Sequence, residues 1–281
     1  MRFKAEPFSL PESIFTILRD LIHEHTGLYY ENNQRTMLGE KLSPRLLERD
    51  LDSFLDYYYL LKYDINAYEE WNYLMDLLSV QETFFWREID QVQVMVDILL
   101  PQLLELPKFR YQAVRIWCAA CATGEEPLSI AIALQEKGWF DKVAIEIYAS
   151  DGSQKAITQA KKGIYRERSF RTLPEYLKQK YFQKIEGGWQ IQADIHKRVE
   201  WSLANLMKPY EIHSLTHANF IFCRNVFIYF SEDSIKETVS LFYKGISSPG
   251  YLFVGAAESL LKITKELDLQ EIGGAFVYVK K

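Results

Sequence analysis

The sequence has few cysteines and no recognisable metal-binding pattern. Only three cysteines occur in 281 residues, and the five histidines are scattered without the paired spacing of a zinc site. The low, odd cysteine count is typical of a protein kept in the reducing cytosol, and the start "MRFKAEPFSLPESIF" lacks the apolar core of a secretory signal. We therefore predict a cytoplasmic protein without a bound metal.

The chain also lacks an excess of positive charge and any long apolar run. Its net charge is −5 and its isoelectric point about 5.7, whereas a nucleic-acid-binding domain is normally basic. No run of about 18 apolar residues occurs, so no membrane insertion is expected. With 281 residues, of which 48% are apolar, the chain is long enough for two domains.

Two patterns divide the chain. Residues 1–78 carry apolar side chains at helical spacing, as at Leu18 and Leu21, which predicts an all-helical domain. Residues 79–281 contain alternating strands and helices, which predicts a mainly parallel sheet with helices on both faces. Residues about 164–197 interrupt that alternation, and Gly187-Gly188 indicates the turn of an inserted hairpin, "EGGWQIQADIHKRVEW".

Polar residues follow the predicted buried strand "ANFIFC". The next segment, "RNVFIYF", brings Arg224, Asn225 and Tyr229 to the carboxyl end of that strand, the edge where ligands bind in open α/β sheets. Burying Arg224 and Asn225 without partners would cost roughly several kcal/mol, so these side chains are expected to hold something.

The first predicted strand, "AVRIWC", ends in the small-residue loop "CAACATGEEP". This loop allows a ligand to approach the backbone, and a helix begins beside it at Pro127. Asp151 ends the next strand, at a spacing typical of an acid that binds ribose hydroxyls. The dinucleotide fingerprint GxGxxG is absent, and Glu125 and Glu126 would repel a pyrophosphate. These residues favour a cationic nucleoside such as S-adenosylmethionine over a dinucleotide; a plain structural turn is the alternative.

A third cluster, "SVQETFFWRE", lies at the junction of the two predicted domains. It interleaves Gln81, Thr83 and Arg87 with aromatic residues. An aromatic core helix with one snorkelling arginine is one interpretation. A ligand-binding segment is the other, because binding sites favour clefts between domains.

Taken together, these motifs resemble those of the CheR-type chemoreceptor glutamate methyltransferases. The resemblance covers nearly the whole chain and rests on six segments in order: "SVQETFFWRE", "CAACATGEEP", "IYASD", "GIYRERSFRTLPEYLKQKYF", "SLANL" and "FIFCRNVFIYF". It implies an α/β fold: a Rossmann-like class I methyltransferase sheet domain with a small inserted β-subdomain, preceded by an all-helical N-terminal domain.

The same resemblance implies the residues of the site. The implied cofactor-binding positions are Gln81, Thr83, Arg87, Glu125, Asp151, Asn205, Leu206, Asn225 and Val226. Among them, Glu125 is expected at the methionine end of S-adenosylmethionine and Asp151 at its ribose. Arg87 and Tyr229 are the polar groups expected nearest the transferred methyl group. Gln81 stands where many members have asparagine, and Gly152 follows Asp151 in place of a bulky aliphatic residue.

The implied reaction is methyl transfer to glutamate side chains in the cytoplasmic helical region of a methyl-accepting chemoreceptor, with S-adenosylhomocysteine as the second product. Lys41, Arg45 and Arg49 recur every four residues and are expected to dock on that acidic partner; a solvated helix face is the alternative. Pro44 is expected to break or kink this helix unless Ser43 caps a new one. The inserted hairpin is either a binding site for a receptor C-terminal peptide or a structural insert.

Other functions remain open on the residues alone. One is a methyltransferase for nucleic acid or a small molecule, which the acidic isoelectric point and the absence of an Asn-Pro-Pro-Tyr motif disfavour. Another is a cofactor-binding protein without activity, or one that acts on a partner other than a chemoreceptor. Cys118 and Cys121 have the spacing of a redox pair but follow a buried strand, which disfavours that role.

Overall fold

A computed structural model describes residues 9–281 and divides them into two compact units. The first runs to Val80 and includes Tyr229–Ser231, and the second comprises Gln81–Ile228 and Glu232–Lys281. Residues 1–8 of the predicted helical domain lie outside the described part of the chain.

The first unit is built from α-helices around an apolar core. Its helices are α1 (Glu12–Thr26), α2 (Arg35–Glu48), α3 (Phe54–Tyr63) and α4 (Ala67–Leu78). Helix α1 ends where Gly27 adopts a left-handed φ of 77° and its amide donates to the carbonyl of His23. Phe15, Leu18 and Ile22, on one face of α1, are fully buried in the core.

Helix α2 corrects the expectation for Pro44. The helix runs through Pro44 without interruption. Glu40 and Pro44 are both exposed, so water can reach the Glu40 carbonyl that the proline cannot bond. Ser43 does not cap a new helix; it is buried, and its hydroxyl donates to the carbonyl of Gly39 at 2.7 Å.

The second unit contains a seven-stranded sheet, which confirms the predicted α/β class. In chain order its strands are β1 (Val114–Ala119), β2 (Ile145–Asp151), β6 (Val199–Leu203), β7 (Phe220–Phe222), β8 (Gly250–Phe253), β9 (Asp268–Ile272) and β10 (Ala275–Lys280). The spatial order is β6-β2-β1-β7-β8-β10-β9. The first five are parallel, and β10 pairs antiparallel with both β8 and β9. The carboxyl ends of β1, β2, β6 and β7 therefore share one edge.

Helices precede and connect these strands. They are α5 (Ile89–Val94), α6 (Leu100–Leu104), α7 (Glu125–Glu136), α8 (Gln154–Lys162), α11 (Pro209–Ile212) and α12 (Glu232–Gly245), with a π-helical stretch at Met95–Leu99. Apolar residues of α7 such as Leu128 and Ile132 are fully buried in the same core as Ile116 of β1 and Ile147 of β2.

A second, three-stranded sheet interrupts the alternation. Its strands β3 (Ile164–Tyr165), β4 (Phe182–Ile185) and β5 (Gly188–Ile191) are arranged in the order β3-β5-β4, with α9 (Glu175–Tyr181) before β4 and α10 (Ala193–His196) after β5. The hairpin is shorter than the segment "EGGWQIQADIHKRVEW". The last residues of that predicted segment belong to β6 of the main sheet, because Val199 pairs with Ile147.

Candidate functional site

Strained backbone is concentrated at the shared strand edge. Ala120 and Ala122 after β1, Asn225 after β7, and Trp86 and Glu88 on the 81–88 segment all have φ between 47° and 67°. Non-glycine residues adopt this left-handed region at a cost of about 1–3 kcal/mol each, and such strain persists where a ligand site requires it. Left-handed non-glycine residues at the ends of these strands are therefore what a ligand-binding edge would be expected to show.

The loop after β1 presents a buried carboxylate that forms no ion pair with any residue of the described part of the chain. Gly124 has φ 95°, and a Cβ there would lie 2.7 Å from the Trp201 ring, so only glycine fits before α7. Glu125 is 2% exposed and accepts hydrogen bonds from the hydroxyls of Thr123 at 2.6 Å and Ser169 at 2.9 Å. Burial raises the pKa of Glu125 above its ordinary value, although both hydroxyls act to lower that pKa. This environment fits an ammonium or sulfonium ligand.

Asp151 links the ends of β1 and β2. It is 7% exposed, and its carboxylate accepts from the amides of Ala122 and Ser153, each at 2.8 Å. These bonds fix the side chain at the edge of the sheet beside the Ala122 turn. Its position fits the predicted binding of ribose hydroxyls, which stays a prediction.

The side chain of Arg224 binds other groups of the protein. Its guanidinium donates to Glu126 Oε2 at 2.6 Å, to the carbonyl of Arg87 at 3.0 Å and to the carbonyl of Glu88 at 3.1 Å. The residue is 7% exposed, so these bonds satisfy a buried charge. Arg224 therefore anchors the 81–88 segment to α7, a role that its sequence position alone could not reveal.

The side chain of Arg87 is half-buried and forms a single long ion pair among the described residues. Its Nη1 donates to the carbonyl of Glu82 at 3.1 Å, while its Nε lies 3.9 Å from Glu88 Oε1. On the same segment, Thr83 is half-buried, and Gln81 Oε1 is buried with no hydrogen-bond partner among the described residues. An orphaned acceptor of this kind suits a ligand donor.

The loops after β6 and β7 complete the edge. Asn205 Oδ1 accepts from the amide of Met207 at 2.9 Å, and Leu206 beside it is buried. The backbone amide of Asn225 donates to Glu258 Oε2 at 2.9 Å, and Val226 is half-buried. The predicted cofactor residues of the second unit thus lie on the 81–88 segment and on the ends of four neighbouring strands.

Glu258 was missed by sequence reasoning. Its carboxylate accepts from the backbone amides of Asn225, Phe227, Ile228 and Gly255 at 2.6–3.3 Å. It therefore fixes the turn that carries Asn225 and Val226. The only signal was an acidic residue soon after a strand, in "GYLFVGAAE".

Tyr229 belongs to the helical unit. The amide of Tyr29 donates to the carbonyl of Tyr229 at 2.9 Å, Leu28 forms a β-bridge with Phe230, and His23 Nε2 lies 2.7 Å from Ser231 Oγ. The Tyr229 side chain is 36% exposed. Its predicted catalytic role stays a prediction.

The predicted docking residues differ in their surroundings. Arg45 makes two hydrogen bonds, of 2.8 and 2.7 Å, to Glu70, which is 2% exposed and also accepts from Tyr57. Arg49 lies 3.6 Å from the same carboxylate, while Lys41 forms no ion pair among the described residues. Arg45 is therefore committed to an internal ion pair, and Lys41 is the freest of the three cations.

The three cysteines are buried thiols, and the described residues contain neither a metal-binding group nor a membrane-spanning helix. Cys118, Cys121 and Cys223 are free and buried, and burial raises the pKa of each thiol well above its ordinary value. In the described part of the chain, no group of three or more His, Cys, Asp or Glu side chains is arranged to hold a metal. No helix among residues 9–281 is both long and apolar enough to cross a membrane.

Comparison with known proteins matches both units. Residues 14–79 match the family model "CheR methyltransferase, all-alpha domain" and residues 81–274 match "CheR methyltransferase, SAM binding domain". The chain is 32% identical to chemotaxis protein methyltransferase 2 of Vibrio cholerae, over 96% of this chain and 94% of that protein. It is 30% identical to the chemotaxis protein methyltransferase of Salmonella typhimurium, over 95% of this chain and 90% of the relative.

A third relative has a different name. The probable biofilm formation methyltransferase WspC of Pseudomonas aeruginosa is 30% identical over 73% of this chain and 48% of its own length. Both family models match in order along nearly the whole chain, and two relatives at 30% identity or more match from end to end. The chain therefore belongs to the CheR family of S-adenosylmethionine-dependent methyltransferases, as its motifs predicted.

Proposed function

We propose that this protein transfers a methyl group from S-adenosylmethionine to glutamate side chains in the cytoplasmic helical region of a methyl-accepting chemoreceptor. The products are glutamyl methyl esters and S-adenosylhomocysteine, and the protein acts in the cytoplasm. The observation that carries the proposal is Glu125, a buried carboxylate with no ion pair among residues 9–281, at the carboxyl edge of the sheet in the unit that matches the family's SAM binding domain.

The cofactor is held by residues of the second unit. Glu125 faces the ammonium of its methionine end, because a buried carboxylate needs a positive partner. Asp151 accepts from the ribose hydroxyls, and Gln81 Oε1 accepts a further ligand donor. Thr83 contributes from the 81–88 segment. Asn205, Leu206, Asn225 and Val226 flank the adenine from the loops after β6 and β7.

The chemistry requires orientation and no general base. S-adenosylmethionine supplies an electrophilic methyl group on its sulfonium. The accepting glutamate is already ionised at neutral pH, since its unperturbed pKa is about 4.3. Well-oriented reactants recover roughly 7–11 kcal/mol of the barrier. Arg87 steers the incoming carboxylate without binding it tightly, and Tyr229 fixes its angle.

The helical unit docks the receptor. Lys41 and Arg49 supply positive charge on α2 for an acidic receptor helix, and Arg45 holds that face in place through Glu70. The inserted sheet supplies a second contact: its edge strand β4 accepts an extended receptor C-terminal peptide by β-augmentation.

A second candidate function is methylation of a receptor outside chemotaxis. The similarity to a probable biofilm formation methyltransferase favours it, because that relative shares the same family but not the chemotaxis name. The chemistry is identical in both cases. The two candidates differ only in the receptor that carries the glutamates.

Mapping the methylated residues tests the proposal and separates the candidates. The protein is incubated with membranes from its own organism and methyl-labelled S-adenosylmethionine, and labelled peptides are sequenced by mass spectrometry. Label on glutamates of a chemoreceptor supports the first candidate, and label on glutamates of another receptor supports the second. Label on lysine, on nucleic acid or on a small molecule contradicts both.

A further inference from the structure

The inserted subdomain contributes one residue directly to the cofactor edge. Ser169, in the 3₁₀ turn Glu167–Phe170 that follows β3, donates its hydroxyl to Glu125 Oε1 at 2.9 Å. The serine is 6% exposed, and the hydrogen bond joins residues 44 positions apart in the sequence. It is therefore a tertiary contact between the insert and the first residue of α7.

The backbone of Ser169 is fixed on both sides. Its amide donates to the carbonyl of Arg166, and its carbonyl accepts from the amide of the fully buried Phe85, each at 2.9 Å. Thr172 strengthens the same attachment, because its hydroxyl donates to the Phe85 carbonyl at 2.7 Å. The turn is thus anchored to the 81–88 segment, and its serine hydroxyl is held towards Glu125.

We propose that Ser169 is a positioning residue for the cofactor: it holds Glu125 in the orientation and charge state that bind the ammonium of the methionine end. This inference rests on the proposed function and adds to it a residue outside the cofactor-binding set. It also makes the insert part of the cofactor site as well as a peptide-binding element.

The groups around Glu125 make this role measurable as a pH effect. The hydroxyls of Thr123 and Ser169 lower the pKa of Glu125 against the effect of burial, and Arg168 lowers it at longer range. The pKa values of Tyr165 and Cys121, which face the same carboxylate, are raised well above their ordinary values, so both stay neutral near pH 7 and below. Of these three groups, Glu125 is therefore the one whose charge changes when the solution is acidified.

Removing the serine hydroxyl should move the acid limit of cofactor binding. In Ser169→Ala, Glu125 takes up its proton at higher pH, so the loss of S-adenosylmethionine affinity on acidification begins at higher pH than in the unmodified protein. Loss of one hydrogen bond to a charged group predicts roughly tenfold weaker binding on the acid side. At alkaline pH, where Glu125 is ionised in both proteins, the difference becomes smaller.

Calorimetric titration of the full chain between mildly acidic and alkaline pH tests this. Thr172→Val is the matched control, because it removes a hydroxyl that bonds the Phe85 carbonyl and does not contact Glu125, and it should leave the pH limit unmoved. Methylthioadenosine, which lacks the amino-acid tail, should bind Ser169→Ala as it binds the unmodified protein, which also reports a folded site. If Ser169→Ala does not fold, Thr123→Val removes the second hydroxyl and predicts a shift in the same direction.

The outcomes separate this inference from the proposed function. Equal weakening at every pH, the same shift in Thr172→Val, or an equal loss of methylthioadenosine affinity would overturn the positioning role. If the unmodified protein binds S-adenosylmethionine and Ser169→Ala shows the same pH limit, the inference fails and the proposed function stands. If the unmodified protein does not bind S-adenosylmethionine, the proposed function itself fails.

Discussion

At the scale of single residues, the site depends on charges that the fold must stabilise in pairs. Arg224 is the clearest case, since it neutralises Glu126 and satisfies two backbone carbonyls of the 81–88 segment. Glu125 is the opposite case, a buried carboxyl group that forms no ion pair within the described residues, so that burial raises its pKa. The two residues lead to opposite expectations for stability.

We expect Glu125→Gln to stabilise the ligand-free protein and to weaken cofactor binding. The folded-state pKa of Glu125 lies above its ordinary value, so the folded chain binds the proton more tightly and stability falls as pH rises through that interval. The amide removes this cost at neutral pH, so the Tm of the ligand-free protein should rise there and the difference should shrink as the solution is acidified. Thermal melts at several pH values measure it; a lower Tm at neutral pH would contradict the assignment.

We expect Arg224→Met to destabilise the sheet unit by up to about 3–5 kcal/mol, because it leaves the half-buried carboxylate of Glu126 without its ion-pair partner. Adding Glu126→Gln should recover a large part of that loss, and a double-mutant cycle in urea measures the coupling. Lys197→Met is the control, since the Lys197–Asp194 pair is largely exposed and should change stability by no more than about 0.5 kcal/mol. Additive effects of the two substitutions would refute the anchoring role.

At the scale of elements, α2 combines the proposed docking surface with an internal ion pair. Arg45 is bound to the buried Glu70, whereas Lys41 on the preceding turn is not paired within the described residues. A charge reversal at Arg45 would therefore disturb the helical unit and docking together. Lys41 allows docking to be tested alone.

Lys41→Glu should raise the KM for receptor and leave both the Tm and the affinity for S-adenosylmethionine unchanged. Arg45→Met should instead lower the Tm, because removing one partner of a buried pair costs about 3–5 kcal/mol. Receptor methylation kinetics and thermal melts of the two variants distinguish these effects. An unchanged KM in Lys41→Glu would remove the docking proposal for α2.

Elements with a local signal were predictable, and those that depend on distant partners were not. Strands β1 and β7 followed from the apolar segments "AVRIWC" and "ANFIFC", whereas the start of β6 was assigned to the inserted hairpin and β9 was not predicted. The strand-end residues Glu125, Asp151 and Asn225 followed from their position after strands. The uninterrupted α2 did not, because the exposure of Glu40 and Pro44 is set by the tertiary fold. The partners of Arg224 and Arg45 were equally invisible, since they lie on other elements.

At the scale of the whole molecule, we propose that the two units carry two tasks. The sheet unit contains the predicted cofactor residues, and the helical unit contains the proposed docking cations together with Tyr229–Ser231. Tyr229 is thus contributed by a segment that leaves the sheet unit and returns to it. The order of the motifs along the chain predicted the family, but it could not predict which unit would contain Tyr229.

The most direct test of the account is the chemical nature of the methylated product. The protein is incubated with methyl-labelled S-adenosylmethionine and receptor-containing membranes, and the washed membranes are treated with mild base. The account predicts release of the label as volatile methanol, which identifies a carboxyl methyl ester, and loss of this signal in Arg87→Ala with its fold retained. Label that stays on the membranes after base, or that is never transferred, would contradict methylation of glutamate.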